Sequence, residues 1–506
     1  MKNMKNQWIM ANMPTNFGTK TMISEQASAF YEERAKGGVG AVVVDIEDIK
    51  NFDLESVQKL AEKLHVYDCQ LWIACVLDTT TIDFVKNCGA DGVQLEMEKT
   101  EQTVLEMLKN NIQIPILLHT EKCMDKAVYQ YIENFVYGVV MKGSIEDCAK
   151  LKKDTDLMVI WECDVITKQE AMQALENKQC DAIASQKMFL VAPDFVQRWE
   201  QEQPYNACCQ CGVCTEAMQN KKPIHCPYCP ETGREYLENQ RRKIATRKEV
   251  IVTQCDAVGM YAAKKAAERG FLTTVFCQKN TKNQISQYEK YLMATIERLG
   301  VKIETEQSAD TKYLLEKKPY LTVFVHSNVC RMPDLQDVEY TLAEDILQYN
   351  KKDMKQFKNA HILLLGGNQQ AVDAAMYLRK YTDGKIYMVE QKHLEETDIT
   401  NSDILEDLDK QNIQIVYGAD IEEVQQDSVC LNIGQQRYDW SFCTIQEASA
   451  NPVKIVVSCS KPCVHDDEAI MALMDERLSY AVVGENDEIT ESLEEVFELF
   501  SRFYLA

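Results

Sequence analysis

Short apolar runs rich in β-branched residues recur along the first 205 residues, at 8–10, 41–44, 71–74, 92–95, 114–118, 138–141, 157–161 and 181–184. Between them, apolar positions repeat at helical spacing over 24–36, 53–64, 101–108, 124–132 and 168–175. Eight strands alternating with helices over roughly 200 residues is the count for a compact (β/α)8 TIM barrel. A doubly wound open sheet is the alternative, and eight units without a long break favour closure. In such a barrel the chemistry belongs at the C-terminal ends of the strands. Those ends carry Asn12, Asp45, Asp78, Glu96, His119, Lys142, Glu162 and Ser185. The rim is mostly acidic. The loops after strands 7 and 8, where a phosphate is usually cradled, read 163–166 and 185–187; they hold no glycine, and Asp164 repels an anion. A solvated acidic rim is the plainer reading. His119 is a lone histidine, more often structural than catalytic. No catalytic residue is assigned; Glu96, His119 and Glu162 are candidates by position.

Beyond residue 247 the pattern becomes that of dinucleotide-binding βαβ units. Residues 250–260 read as a strand entering a helix that runs to about Glu268, with a second strand at 272–276. Of the three glycines of a phosphate turn only Gly259 is present. Cys255 stands where the backbone must approach a pyrophosphate, and the second strand ends in Phe276-Cys277-Gln278 rather than in an acid. A second unit starts at His361, with a helix to about Lys380 and a strand at 386–390. Its Gly366, Ala371 and Glu390 fit G-x-G-x-x-A with a downstream acid, and Asn368 takes the middle glycine's place. Near the end, a strand at 480–483, Gly484-Glu485 and a helix at about 488–503 form a weak flavin-type signal.

Between these halves lie six cysteines within 22 residues, far beyond chance. Cys208, Cys211 and Cys214 follow C-x2-C-x2-C, and Cys226 comes after eleven intervening residues. A short loop wraps a cubane iron–sulfur cluster in this way. The same stretch also reads as C-x2-C-x14-C-x2-C through Cys208, Cys211, Cys226 and Cys229, close to zinc-ribbon spacing. On spacing alone the two stand level.

Composition narrows the setting. A chain of 506 residues has room for two or three domains, and 45% apolar content without a low-complexity tract gives no sign of disorder. A formal charge of −24 argues against nucleic acid or an anionic membrane as partner. Twenty scattered cysteines do not make a secreted disulfide framework. The first ten residues lack an apolar signal core, and no run of about 18 apolar residues occurs. A soluble cytoplasmic protein is expected.

The order of these parts resembles the NADH:flavin oxidoreductases related to old yellow enzyme, in the multidomain form typified by trimethylamine dehydrogenase and 2,4-dienoyl-CoA reductase. Asn12-Met13-Pro14-Thr15-Asn16-Phe17, followed by Phe30-Tyr31-Glu32-Glu33-Arg34-Ala35-Lys36-Gly37-Gly38-Val39-Gly40, is similar to the family's first βαβ unit. Ala192-Pro193-Asp194 and the cysteine run with Gly233-Arg234-Glu235 are similar to its cluster segment. The resemblance spans nearly the whole chain. It implies a [4Fe–4S] cluster on Cys208, Cys211, Cys214 and Cys226, with Cys226 rather than Cys229 as the fourth ligand. It implies FMN in the barrel, and FAD and NAD(P)H at sites that include Gly259, Gly484, Gly366, Ala371 and Glu390. The implied organisation is a TIM barrel at 1–203 and a cysteine-rich loop and linker at 204–246. A FAD-type Rossmann-like domain follows at 247–355 plus 441–506, with a nested NAD-type Rossmann-like domain at 356–440.

The departures are as specific as the matches. The barrel is shorter than the family's, and the glutamine and histidine motifs that hold isoalloxazine have no counterpart. The FMN-phosphate positions are replaced around Glu162 and Gln186, and Val325-His326-Ser327-Asn328 replaces an Ala-Thr-Gly turn. Two functions follow. One is NAD(P)H-linked electron transfer to or from a small organic substrate. The other is a non-catalytic, cluster-bearing paralogue with its FMN and FAD sites lost, a pseudoenzyme acting as subunit, scaffold or redox sensor beside a homologous redox protein. Either is compatible with an oligomer.

Overall fold

The fold is that of a computed structural model, which describes residues 4–77, 81–100, 102–164, 167–239, 247–277, 286–326, 338–349, 352–367, 369–390, 402–425, 428–433, 436–441, 453–457, 464–484 and 489–502. Asp78, Gln278, Ser327, Asn328, Asn368 and Glu485, singled out above, lie outside the described residues. The chain divides into two compact units. One comprises Met1–Ala309, Lys318–Val323 and Thr490–Ala506; the other comprises Asp310–Lys317 and Phe324–Ile489.

The first unit opens with a closed parallel barrel of eight strands: β1 Trp8–Met10, β2 Ala41–Ile46, β3 Gln70–Cys75, β4 Gly92–Glu96, β5 Ile116–Thr120, β6 Gly138–Lys142, β7 Met158–Glu162 and β8 Ala182–Ser185. β8 pairs back onto β1 through Ile9 and Ala184. The expected strands are all present; β5 starts two residues later than its apolar run, because Pro115 has no N–H to give a ladder. Strand side chains alternate in and out. Ile9, Val43, Trp72, Leu117, Val140 and Ile160 fill the barrel together with alanines, and their neighbours in sequence face the surrounding helices. Helices begin where capping residues stand. Ser24 caps Glu25–Lys36, Asp53 caps Leu54–His65, and Thr167 with Glu170 forms a capping box on Lys168–Glu176.

Beyond the barrel come the parallel strands β9 Glu249–Val252, β10 Leu272–Phe276, β11 Lys302–Glu304 and β12 Leu321–Val325, in the order β11-β10-β9-β12, with β12 belonging to the first unit as far as Val323. Helix Ala257–Glu268 leads from β9 to β10, and helix Gln287–Arg298 packs beside it. The last helix of the chain, Ile489–Ser501, buries Leu493, Val496, Phe497 and Phe500.

In the second unit, β13 Tyr340–Leu342, β14 His361–Leu365, β15 Ile386–Val389, β16 Ile413–Val416 and a later strand, Val453–Val457, form a parallel sheet; the later strand sits between β13 and β14. Ala419–Val424, Ser428–Ile433 and Gln436–Ser441 add an antiparallel three-stranded sheet. The strands at 340–342 and 453–457 fall in the stretches expected to be FAD-type, yet they pair with β14. Short β-branched runs carry no label for the sheet they join. Among the described residues no helix is long and apolar enough to cross a membrane.

Candidate functional site

Strand alternation builds the barrel mouth. Leu117, Val140 and Ile160 point inward, so His119, Lys142 and Glu162, two residues further along each strand, continue the inward series at the C-terminal end. The ladders place Glu96 beside His119 and Lys142 beside Glu162. The His119 Nδ1 atom lies 3.2 Å from Glu96, and Nε2 lies 3.3 Å from Glu162. The His119 side chain is 11% exposed, Glu162 only 7%, and Glu96 42%. The ring is thus held at both nitrogens between one buried and one half-exposed carboxylate. Burial works against a charged imidazole here, but the hydrogen bond and charge of Glu162, then Glu96, outweigh it and raise the pKa above 6.5. Lys142 bonds Glu121 at 3.0 Å, and that bond raises its pKa. The expected anion-repelling Asp164 is instead neutralised by Lys187 at 2.8 Å. Gln186 donates to the Asn12 carbonyl, and Ser185 Oγ donates to the Asp164 carbonyl. The side-chain oxygen of Asn12 is buried without a partner.

A second feature lies beyond β8. Cys208, Cys211, Cys214 and Cys226 line one recess, together with Lys187 and His225. Gln210 and Gly212 both take positive φ, 60° and 83°, so the loop turns sharply between Cys208 and Cys214. The Gln210 N–H donates to Cys208 Sγ at 3.4 Å. Burial raises the pKa of Cys208 and, more strongly, that of Cys226. Cys229 shares a tight turn with Cys226, its N–H donating to the Cys226 carbonyl at 3.1 Å, but it is outside the lining of the recess: its Sγ bonds Glu231 at 3.7 Å, and burial pushes its pKa up to about 12. None of these cysteines is in a disulfide. Among the described residues, no three His, Cys, Asp or Glu side chains are placed to share a metal ion. In chemistry the lining suits a thiolate-held group rather than a hard cation: every carboxylate is outside it, and the Gln210 N–H points at the Cys208 sulfur.

The loop is tied to the barrel by the other motif residues. Arg34 is fully buried; it donates to the carbonyls of Phe30 and Phe189, each at 2.9 Å, and pairs with Glu235. Its guanidinium lies 3.6 Å from the Phe30 ring centroid. Gly233, at φ 79°, brings its Cα so close to the ring of Phe17 that a Cβ would lie 2.8 Å from it. Asn206 donates to the Tyr228 carbonyl, and Thr232 to that of Leu190. Beneath the loop, Glu231 accepts from Lys264 and Lys265 at 3.1 Å each. Although burial opposes its charge, these lysines hold the Glu231 carboxyl well below the usual range.

The turn after β9 is closed from within. The Asp256 carboxylate caps helix Ala257–Glu268 and accepts the Gly259 N–H at 2.9 Å. A diphosphate would need that same helix N-terminus. Cys255 is buried and hydrogen-bonded to Cys277 across from the end of β10. Gly259 has a packing role, since a Cβ there would lie 2.0 Å from the Gln254 carbonyl. The residues present therefore do not fit a FAD diphosphate in this conformation. Asp256 escaped the sequence reading, although an Asp directly before a helix is an N-cap signal. In the second unit, Gly366 has φ 104°, Ala371 is fully buried, and Glu390 packs on the turn so closely that a Cβ on Gly367 would lie 2.2 Å from its carboxylate. Gly484 follows its strand with φ 88°.

No protein-family model matches the chain. It is 22% identical over 283 residues to bilirubin reductase of Mediterraneibacter gnavus (strain CC55_001C), covering 52% of this chain and 44% of that protein. It is 20% identical over 301 residues to NADH oxidase of Thermoanaerobacter brockii, covering 54% and 46%. The chain thus matches under half the length of these curated relatives. In fold it is similar to 2-naphthoyl-CoA reductase in complex with 2-naphthoyl-CoA, with a TM-score of 0.70 at 14% identity over 99% of this chain and 97% of that one. The architecture is a closed TIM barrel with further parallel, Rossmann-like sheets. The chain is a relative of the old-yellow-enzyme-like multidomain flavoprotein oxidoreductases, as its motifs implied.

Proposed function

We propose that the chain is an NAD(P)H-linked oxidoreductase carrying a [4Fe–4S] cluster on Cys208, Cys211, Cys214 and Cys226, and acting on a small organic substrate at the barrel mouth. The recess carries this reading: thiols from two separate stretches of chain face one space with a lysine, a histidine and no carboxylate in its lining. A cluster there supplies one-electron steps. The chain's own residues hold the thiols inward, screen them with Lys187, and present the His119 pair to whatever occupies the mouth. The relatives are named as a reductase and an NADH oxidase, which supports turnover. Gly366, Ala371 and Glu390 form the turn proposed for the nicotinamide nucleotide. The capped turn at Asp256 favours a second reading, in which a homologous flavin-bearing partner feeds the cluster of this chain.

Anaerobic purification with assay of iron, acid-labile sulfide and acid-released flavin, followed by NADH oxidation against organic acceptors, tests the proposal. About four irons per chain with matching sulfide, FMN rather than FAD as the flavin released, and NADH consumption are expected. Iron without flavin, and NADH consumption only after adding a homologous flavoprotein, supports the second reading. Zinc without sulfide overturns the cluster.

A further inference from the structure

We propose that His119 is the proton donor of the barrel mouth, fixed between Glu96 and Glu162, and that the mouth takes a neutral or cationic organic substrate. This inference rests on the oxidoreductase reading. A neutral imidazole can donate from only one nitrogen; with both nitrogens against carboxylates, the ring has two acceptors to satisfy and is stable as the imidazolium. Glu96, the more exposed partner, orients the ring through Nδ1. Glu162 shares the Nε2 proton inside the mouth.

The other charged groups around the ring are Glu121 and Lys142, paired with each other, and Asp164 and Lys187, likewise paired. Each of those pairs is neutral. The Glu96–His119–Glu162 group keeps one net negative charge. Such a mouth repels carboxylates, phosphates and nucleotide thioesters, and tolerates neutral or cationic molecules.

In the step proposed, a hydride leaves the C–H bond of the NAD(P)H-linked donor, which is oxidised, and adds to one atom of a polarised double bond of the substrate, while the proton of His119 adds to the other atom. The Nε2–H bond breaks, directly or through the Glu162 oxygen, and a substrate–hydrogen bond forms. His119 is left neutral with its remaining proton on Nδ1, against Glu96. Water returns one proton to Nε2 after product leaves.

The test uses the full chain with 15N-labelled histidine, His119 being assigned by loss of its signal in His119→Gln. At pH 7 both ring nitrogens of His119 should carry protons, and Glu162→Gln and Glu96→Gln should each lower its pKa while thermal melts show a folded protein. Turnover should fall on the alkaline side with the His119 pKa, and that limb should move to lower pH in Glu162→Gln. His119→Gln should reduce kcat on the order of 100-fold or more. Acidic acceptors should be poorer substrates than their neutral or amine analogues. A neutral His119 at pH 7, or an alkaline limb that Glu162→Gln leaves in place, overturns the proton-donor role. A charged His119 in a protein that reduces no acceptor removes the oxidoreductase reading and leaves the imidazolium as a structural cation.

Discussion

The cysteine loop and the turn after β9 are both places where a family resemblance locates a cofactor, and they are finished in opposite ways. The loop leaves its thiols facing an open recess, with a backbone N–H aimed at sulfur and a lysine alongside. The turn consumes its own donors: Asp256 takes the Gly259 N–H, and Cys255 and Cys277 take each other. A site built for a ligand leaves polar groups pointing into a space, and a retired or rebuilt one satisfies them from the chain. The difference separates the proposed cluster at the loop from a FAD at the turn more sharply than counting glycines does.

The largest effect should come from Cys211→Ala, which is expected to lose most of the bound iron and loosen the loop, because metal binding and local folding are coupled. Cys229→Ala should keep its iron, since its sulfur points at Glu231 instead. Iron and sulfide assays on both variants decide the matter, and equal loss would erase the contrast. Next in size is Arg34→Ala, which leaves Glu235 buried without its cation. About 3–5 kcal/mol of stability should be lost in denaturant unfolding, with reduced iron as a side effect. The turn can be challenged directly with Cys255→Gly and Asp256→Ala together. Removing the cap costs about 1 kcal/mol, and calorimetry should show FAD binding gained or tightened. No change in FAD affinity would mean that the turn is not what limits it.

The smallest effect concerns pH. The folded-state pKa of His119 is raised, so its stabilising contribution is fully present below 6.5 and is lost as pH rises through the raised value. Thermal melts from pH 6 upward should show that loss, and Glu162→Gln should flatten it.

The barrel was legible because its strands repeat one pattern eight times. The caps at Ser24, Asp53 and Thr167 lie where local side-chain chemistry announces them. His119 was not legible as a functional residue. Its partners sit 23 and 43 residues away, and only the parallel register of β4, β5 and β7 brings all three to one level. The link between Asp164 and Lys187 was hidden for the same reason, so a residue expected to repel anions proved to be neutralised. Membership of the second sheet by 340–342 and 453–457 depends on pairing with β14, which no local run encodes. The motif residues Phe17, Arg34, Gly233 and Glu235 stood out as a family signature, while their meeting around one clamp appears only in three dimensions.

That clamp has a bearing on synthesis. Arg34 leaves the ribosome some two hundred residues before Glu235 does, and until then a nascent barrel holds an interior cation whose counter-charge has not been made. Closure of the barrel is therefore expected to wait for the cysteine loop. A fragment cut at residue 203 should be aggregation-prone, whereas one extended past residue 235 should stay in solution.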